Sequence, residues 1–92
     1  MLPYERVEVY DVDNGNRFAT YLIEGERGGG ACCVNGAAAR LVERGHRLIL
    51  ACYAAMDEAS ARAHRPRVVL VDAANRVAAT KDHERPGVRV RA

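Results

Sequence analysis

The sequence predicts a small, mainly β domain that closes as a barrel and carries two short helices. A chain of 92 residues has room for one small hydrophobic core. Several short segments have the patterning of strands, and turn residues separate them. Closure removes the exposed edges of such a sheet, so a barrel is the favoured packing. We expect residues 1–80 to form this domain and residues 81–92 a flexible tail.

Composition and charge exclude several classes of function. The formal net charge is +2, with 14 basic and 12 acidic residues, which does not indicate a nucleic-acid partner. No apolar run reaches the ~18 residues of a membrane span, so no membrane role is expected. The first residues lack the apolar core of a signal peptide, and we expect a cytoplasmic protein.

The cysteines and histidines do not have the spacing of a metal site. We expect Cys32, Cys33 and Cys52 to be reduced, buried thiols, because their neighbours are apolar. Scattered cysteines and histidines without paired spacing rarely bind zinc. The sequence therefore predicts no metal.

The first part of the chain predicts a hairpin. Residues 5–11 alternate, with Val7 and Val9 on one face, as in a half-buried strand. Asn14-Gly15 follows, and this dipeptide favours a type I′ turn, in which both central residues have positive φ. Residues 17–24 are rich in aromatic and β-branched side chains and form the predicted return strand.

The middle of the chain predicts a loop, a short strand, a short helix and a buried strand. Residues 25–30 (GERGGG) form the loop, and residues 31–34 the short apolar strand. Asn35 is a candidate N-cap of a short helix that ends at Gly45. Residues 48–55 are continuously apolar, which favours a strand buried on both faces, with a helix as the alternative.

The remaining elements are a helix and two strands. Acidic residues at the start of residues 57–64 suit a helix N-terminus. Residues 67–72 form the next predicted strand. Asn75 starts a turn, and residues 76–80 return as a last strand.

Three motifs in combination resemble one enzyme family. They are VYDVDNGNRFATY at residues 9–21, ERG at 26–28 and VNGAAA at 34–39, and GHRLIL, DEASAR and PRVVLVD follow in order. Together they closely resemble aspartate 1-decarboxylase, the pyruvoyl-dependent family that makes β-alanine for pantothenate and coenzyme A. The resemblance implies a double-psi β-barrel, a homotetramer with active sites between subunits, and L-aspartate as the substrate.

The resemblance also implies a covalent pyruvoyl cofactor. Its carbonyl forms a Schiff base with the substrate amine and accepts the electrons left at Cα when CO₂ departs. The family makes this group from a serine by cleaving its own Gly-Ser bond, upstream of the segment that matches this chain. The single serine here, Ser60, follows Ala59 in a predicted helix. We therefore expect the precursor serine, and the family's β-chain lysine, in an upstream segment.

Two further hypotheses stay open at this point. The chain is a short paralogue that binds a small acid or a partner without catalysis, or it is one half of a split enzyme. A pocket without the pyruvoyl group binds its ligand but does not decarboxylate it.

Arg17 and Tyr21 match the family's principal substrate-contacting positions. The family arginine holds a substrate carboxylate, a contact that suits a planar guanidinium group. The family tyrosine returns a proton to the substrate, which makes Tyr21 the predicted catalytic residue. Without the resemblance, these residues read as a solvated strand arginine and a core tyrosine. On a regular strand both lie on one face.

The resemblance adds further substrate-binding residues. These are Tyr10, Thr20, Asn35, Gly36, Ala37 and Ala38. Simple alternation points Thr20 away from Arg17, so its role is either structural or dependent on a β-bulge. The segment that begins at Asn35 equally fits an ordinary capped turn.

Overall fold

The computed structural model describes residues 1–84 of the chain. Its strands are β1 (Arg6–Asp11), β2 (Arg17–Tyr21), β3 (Leu48–Ala51), β4 (Val68–Val71) and β5 (Val77–Lys81). A 3₁₀ helix (Gly36–Leu41) precedes β3, and helix α1 (Glu58–Ala63) precedes β4. The mainly β class with two short helices is confirmed. The helices of this region are too short to cross a membrane.

The chain divides into two compact units. The first comprises residues 1–26 and 31–54, and the second comprises residues 27–30 and the described residues from 55 onward. The first unit holds an antiparallel sheet with the strand order β2-β1-β3, and the second holds the β4–β5 pair.

Strand β1 is the centre of the first unit. Its Val7 and Val9 side chains are 2% and 3% exposed, as the alternating pattern predicts. Strands β2 and β3 pair with it on both sides, so its backbone hydrogen-bonding groups are used on both edges. This central position explains why the buried residues of the described chain lie on β1.

The β1–β2 hairpin is confirmed, but its predicted turn type is wrong. Gly15 has a φ of +77°, whereas Asn14 does not have a positive φ, so the turn is not type I′. The Gly15 amide donates to the Asp11 carbonyl, and the Asp11 amide donates to the Asn16 carbonyl. The connection is a longer loop, in which Gly15 alone takes the left-handed conformation.

Several predictions for the middle of the chain are also wrong. Residues 31–34 are irregular rather than a strand, and Cys32 and Cys33 are exposed. Cys52 is half-buried, and all three thiols are free. Within residues 1–84, no strand pairs with this run, so no sheet fixes its backbone as a strand.

The apolar run at residues 48–55 forms a shorter and more exposed strand than predicted. Strand β3 ends at Ala51, and Ile49 and Leu50 are 50% and 40% exposed. The hydrophobic pattern of a sequence shows that a segment is apolar, but it does not show whether the same chain covers that segment. Strand β2 likewise ends at Tyr21, before the predicted end at residue 24.

The second unit follows the predicted order of elements. Asp57 caps α1 by accepting a hydrogen bond from the Ser60 amide. Asn75, with a φ of +59°, lies in the turn that joins β4 to β5. Lys81, the first residue of the predicted tail, ends β5, and residues 85–92 of that tail lie outside the described residues.

Candidate functional site

One face of the three-stranded sheet carries the principal site residues predicted from the sequence. In the β1–β2 register, Tyr10 lies opposite Arg17, and Arg6 lies opposite Tyr21. Directly opposed residues of antiparallel strands point to the same face. The structure therefore places Arg17, Tyr21 and Tyr10 on one face.

Arg17 lies over the Tyr10 ring. The guanidinium carbon is 4.7 Å from the ring centroid, which is within the range of a cation–π interaction. Arg17 itself is exposed, while Tyr10 is half-buried beneath it. The N–H groups of a guanidinium lie in its own plane and point outward from it, so contact with a ring leaves them available for a carboxylate.

Tyr21 stands at the other end of β2. Its side chain is 56% exposed, and its ring centroid is 6.3 Å from that of Tyr4, with the planes tilted by 32°. This aromatic contact restrains the Tyr21 ring and leaves its face of the sheet open. A phenol held in this way can donate a proton to a molecule bound on that face.

Thr20 lies on the opposite face of the sheet. It is half-buried, and its cross-strand partner is the buried Val7. The β1–β2 pairing is continuous, so no bulge turns Thr20 towards Arg17. Within this unit Thr20 packs on the core side, as simple alternation predicts.

The segment from Asn35 to Ala38 enters the 3₁₀ helix. Gly36 has a φ of +68°, a conformation that favours glycine, and its Cα faces open space. Asn35 occupies the N-cap position, as predicted, but its side chain makes no capping hydrogen bond to the helix and instead accepts one of 3.2 Å from the Cys33 thiol. Ala37 is exposed and Ala38 half-buried.

The β1–β2 loop fastens the end of this 3₁₀ helix. The side-chain amides of Asn14 and Asn16 donate to the Leu41 carbonyl at 3.0 and 2.8 Å. Two donors on one helix-end carbonyl satisfy a group that would otherwise lack a partner. The same loop therefore positions both the start of β2 and the segment that holds Gly36.

A buried carboxylate, which the sequence analysis missed, organises this loop. Asp11 is 2% exposed, and its Oδ2 forms a hydrogen bond of 2.7 Å with the Nδ1 of His46. Its Oδ1 accepts from the amides of Asp13 and Asn14 at 2.8 and 3.3 Å. Because Asp11 and His46 are distant in sequence, no local pattern indicates the pair.

The protonation of this pair follows from its contacts. Burial opposes ionisation of Asp11, but hydrogen bonds from His46 and two amides outweigh it and lower the Asp11 pKa. The hydrogen bond to Asp11 raises the pKa of His46, with added attraction from Asp13 and Glu43. The geometry favours a charged pair near neutral pH.

Asp11, Asp13 and His46 also bring three possible metal ligands together. One ligand atom from each lies within 4.8 Å of the others. The oxygens concerned already have protein partners, since Asp13 Oδ2 accepts from the Arg47 amide at 2.7 Å. Hydrogen bonding within the protein accounts for this cluster.

Tyr53 is the second residue that the sequence analysis did not single out. Its hydroxyl shares a hydrogen bond of 3.0 Å with the hydroxyl of Tyr10. Alternation along β3 could have indicated it, since Ile49 pairs with Tyr10 and Tyr53 stands four residues later.

Comparison with known proteins identifies the family. The family model described as aspartate decarboxylase matches residues 1–78. The chain belongs to the aspartate decarboxylase family. A protein from Clostridium kluyveri named aspartate 1-decarboxylase is 45% identical over 95% of this chain and 68% of its own length. Proteins of the same name from Moorella thermoacetica and Pelotomaculum thermopropionicum are 47% and 48% identical over 95% of this chain, covering 68% and 66% of their lengths.

The residues present in this chain do not fit as the source of the family's pyruvoyl group. Ser60 is the one serine, and Ala59 rather than glycine precedes it. It lies in α1, where its amide is held at 2.7 Å by the Asp57 carboxylate. A regular helical serine that takes part in an N-terminal cap is not placed for backbone cleavage.

Proposed function

We propose that this chain provides the substrate-binding part of an aspartate 1-decarboxylase that converts L-aspartate to β-alanine and CO₂. The observation that carries the proposal is the shared open face of Arg17 and Tyr21, with Tyr10 beneath Arg17. These are the positions at which the chain resembles the family's substrate contacts, and the curated relatives carry the name aspartate 1-decarboxylase.

Arg17 binds a carboxylate of the substrate in this proposal. Its exposed guanidinium offers two parallel N–H donors, which match the two oxygens of a carboxylate. Tyr10 keeps the guanidinium on the sheet face instead of in bulk solvent. The positive charge of Arg17 also favours a substrate that carries a second carboxylate over one that lacks it.

Tyr21 donates the proton that replaces the departing carboxylate on the substrate Cα. Loss of CO₂ leaves an electron pair at this carbon, and one proton is needed to form β-alanine. The phenol is exposed on the same face as Arg17, where a bound four-carbon acid lies.

The segment that begins at Asn35 completes the proposed site. Gly36 has no side chain, and its Cα faces open space, so a ligand can approach the backbone closely. Ala37 and Ala38 add small side chains beside this opening. We include Thr20 as a residue that supports β2 from the core side.

The electron sink lies outside these 92 residues in our proposal. A pyruvoyl group supplies that sink in the family, and Ser60 is not placed to become one. The precursor serine therefore belongs to an upstream segment or a separate peptide. The L-aspartate substrate, a cytoplasmic location and a homotetramer complete the proposal.

The family's double-psi β-barrel is the proposed complete fold. In the described part of the chain, the strands form two antiparallel sheets. Ile49, Val69 and Val77 are about half exposed or more, at 50%, 46% and 66%. Neighbouring subunits and further sequence would cover these apolar side chains.

Two substitutions test the proposed roles in protein produced from the natural locus. Arg17→Ala should raise the KM for aspartate about tenfold or more, because a charge-assisted contact is lost. Tyr21→Phe should lower kcat about 10²-fold while leaving aspartate affinity nearly unchanged. Steady-state β-alanine formation measures both constants.

Matched controls separate these roles from general damage. Arg62→Ala removes an exposed arginine on α1, and Tyr4→Phe removes a hydroxyl while keeping the ring contact with Tyr21. Both controls should keep the unmodified kinetics. An Arg17→Ala protein with unchanged KM, or a Tyr21→Phe protein with unchanged kcat, would refute the corresponding role.

A further inference from the structure

We infer that Tyr53 is a positioning residue for the carboxylate-binding arginine, acting through a contact chain from its hydroxyl to Tyr10 and from the Tyr10 ring to Arg17. The inference takes its substrate from the proposed function. The way in which Tyr53 acts is argued from the geometry of the first unit. It assigns a role to an exposed residue beyond the end of β3.

The sheet register brings these residues together. Tyr10 on the central strand lies opposite Arg17 on β2 and opposite Ile49 on β3. Tyr53 follows the end of β3 by two residues and reaches back over the same face. The Tyr10 hydroxyl meets the Tyr53 hydroxyl at 3.0 Å, while its ring carries the Arg17 guanidinium at 4.7 Å.

The two contacts limit the motion of two different side chains, Tyr10 and Arg17. A tyrosine ring turns about two side-chain bonds. A hydrogen bond at its hydroxyl restrains the first, χ1, which sets where the ring lies, because the oxygen lies on the axis of the second and does not move when the ring turns about it. A fixed ring in turn limits where a guanidinium can rest on it. Orientation of Arg17 before the substrate arrives lowers the entropy lost on binding.

The contact contributes orientation more than stability. Tyr53 is 74% exposed, so removing its hydroxyl leaves no buried group without a partner. The Tyr53 hydrogen bond is also the largest cause of the raised pKa of Tyr10. A raised pKa indicates that the neutral Tyr10 hydroxyl is the stabilised form, as expected when it donates this bond.

Tyr53→Phe tests the inference by removing one oxygen. The Tyr10 pKa, followed by NMR of ¹³C-labelled tyrosine, should fall towards its ordinary value. The Arg17 Nε heteronuclear NOE should drop as the side chain becomes more mobile. The Kd for succinate, a dicarboxylate that cannot be decarboxylated, should rise about three- to tenfold, the range set by one neutral hydrogen bond.

Tyr4→Phe is the matched control, because it removes another exposed phenol hydroxyl of the same unit. It should change neither the Arg17 NOE nor the succinate Kd. The thermal unfolding midpoint of Tyr53→Phe should stay close to that of the parent protein, which separates positioning from a structural role.

The possible results are distinguishable. An Arg17 NOE that is unchanged in Tyr53→Phe overturns the inference, whatever the enzyme activity. An unchanged succinate Kd beside a falling NOE overturns it as well. If no β-alanine forms from the natural-locus protein, yet the NOE and succinate Kd respond as expected, the positioning role stands and the proposed function fails.

Discussion

Both units of this chain contain antiparallel strands, but the strands of the first unit are buried much more deeply than those of the second. In the first unit, β1 is paired on both edges and buries Val7, Val9 and Asp11. In the second unit, β5 is exposed along its whole length, and β4 is only half-buried at alternate positions. The difference shows that strand patterning alone does not produce a core, because a strand must also be flanked. An isolated two-stranded pair is marginally stable.

The same difference bears on which unit holds the candidate site residues. The central strand of the first unit is paired on both edges; Tyr10 lies on its site face, and its last residue, Asp11, contacts the loop. A site on a strand that is held at both edges is more precisely positioned than one on an open hairpin. The candidate catalytic and binding residues lie in the first unit accordingly.

The largest expected contrast compares a buried and an exposed valine. Val7→Ala removes two methyl groups from a side chain that is 2% exposed, and should lower the free energy of unfolding by about 2 kcal/mol. Val77→Ala on β5, where the side chain is 66% exposed, should change it by less than about 0.5 kcal/mol. Urea unfolding measures the free energy of unfolding of both variants. Equal decreases in the two variants would contradict the difference in burial between the units.

The next largest loss of stability is expected from a substitution at a glycine in the second unit. Gly30 has a φ of +69°, and a Cβ there would lie 2.7 Å from the Ala74 carbonyl oxygen. Gly30→Ala should therefore destabilise by about 1–2 kcal/mol through backbone strain. Gly25→Ala is the control, since nothing lies within 4 Å of its added Cβ and its φ is not positive. A destabilisation in Gly25→Ala as large as in Gly30→Ala would contradict this explanation.

The Asp11–His46 pair predicts a smaller, pH-dependent effect. The raised His46 pKa contributes stability that is present below ~6.5 and is lost as the pH rises through the folded value. The lowered Asp11 pKa contributes stability that is present above ~3.9 and is lost as the pH falls through the folded value. The pair therefore stabilises the protein most between these two limits.

His46→Ala should lower the unfolding midpoint by several degrees at pH 6, and the deficit should shrink at pH 9. Calorimetric scans across this range test the sign. His64→Ala, which removes the exposed histidine that follows α1, is the control and should change the unfolding midpoint little. A constant deficit for His46→Ala at every pH would mean that packing, not charge, accounts for it.

The sequence predicted local features well and long-range ones poorly. Alternation identified the buried face of β1, and simple alternation also placed Thr20 on the core side. The run at residues 48–55 misled, because an apolar segment does not show whether its cover lies in the same chain. Asp11 with His46, and Tyr10 with Tyr53, join residues far apart in sequence, where no periodicity operates.

The central claim is that these residues bind the substrate while the electron sink comes from outside them. The most direct test is the intact mass of the protein made from its natural locus with the upstream DNA included, together with its β-alanine output. We predict an active chain heavier than 10.1 kDa, blocked by a pyruvoyl group and accompanied by a small second peptide. A single unmodified chain that begins at Met1 and forms β-alanine unaided would contradict the claim.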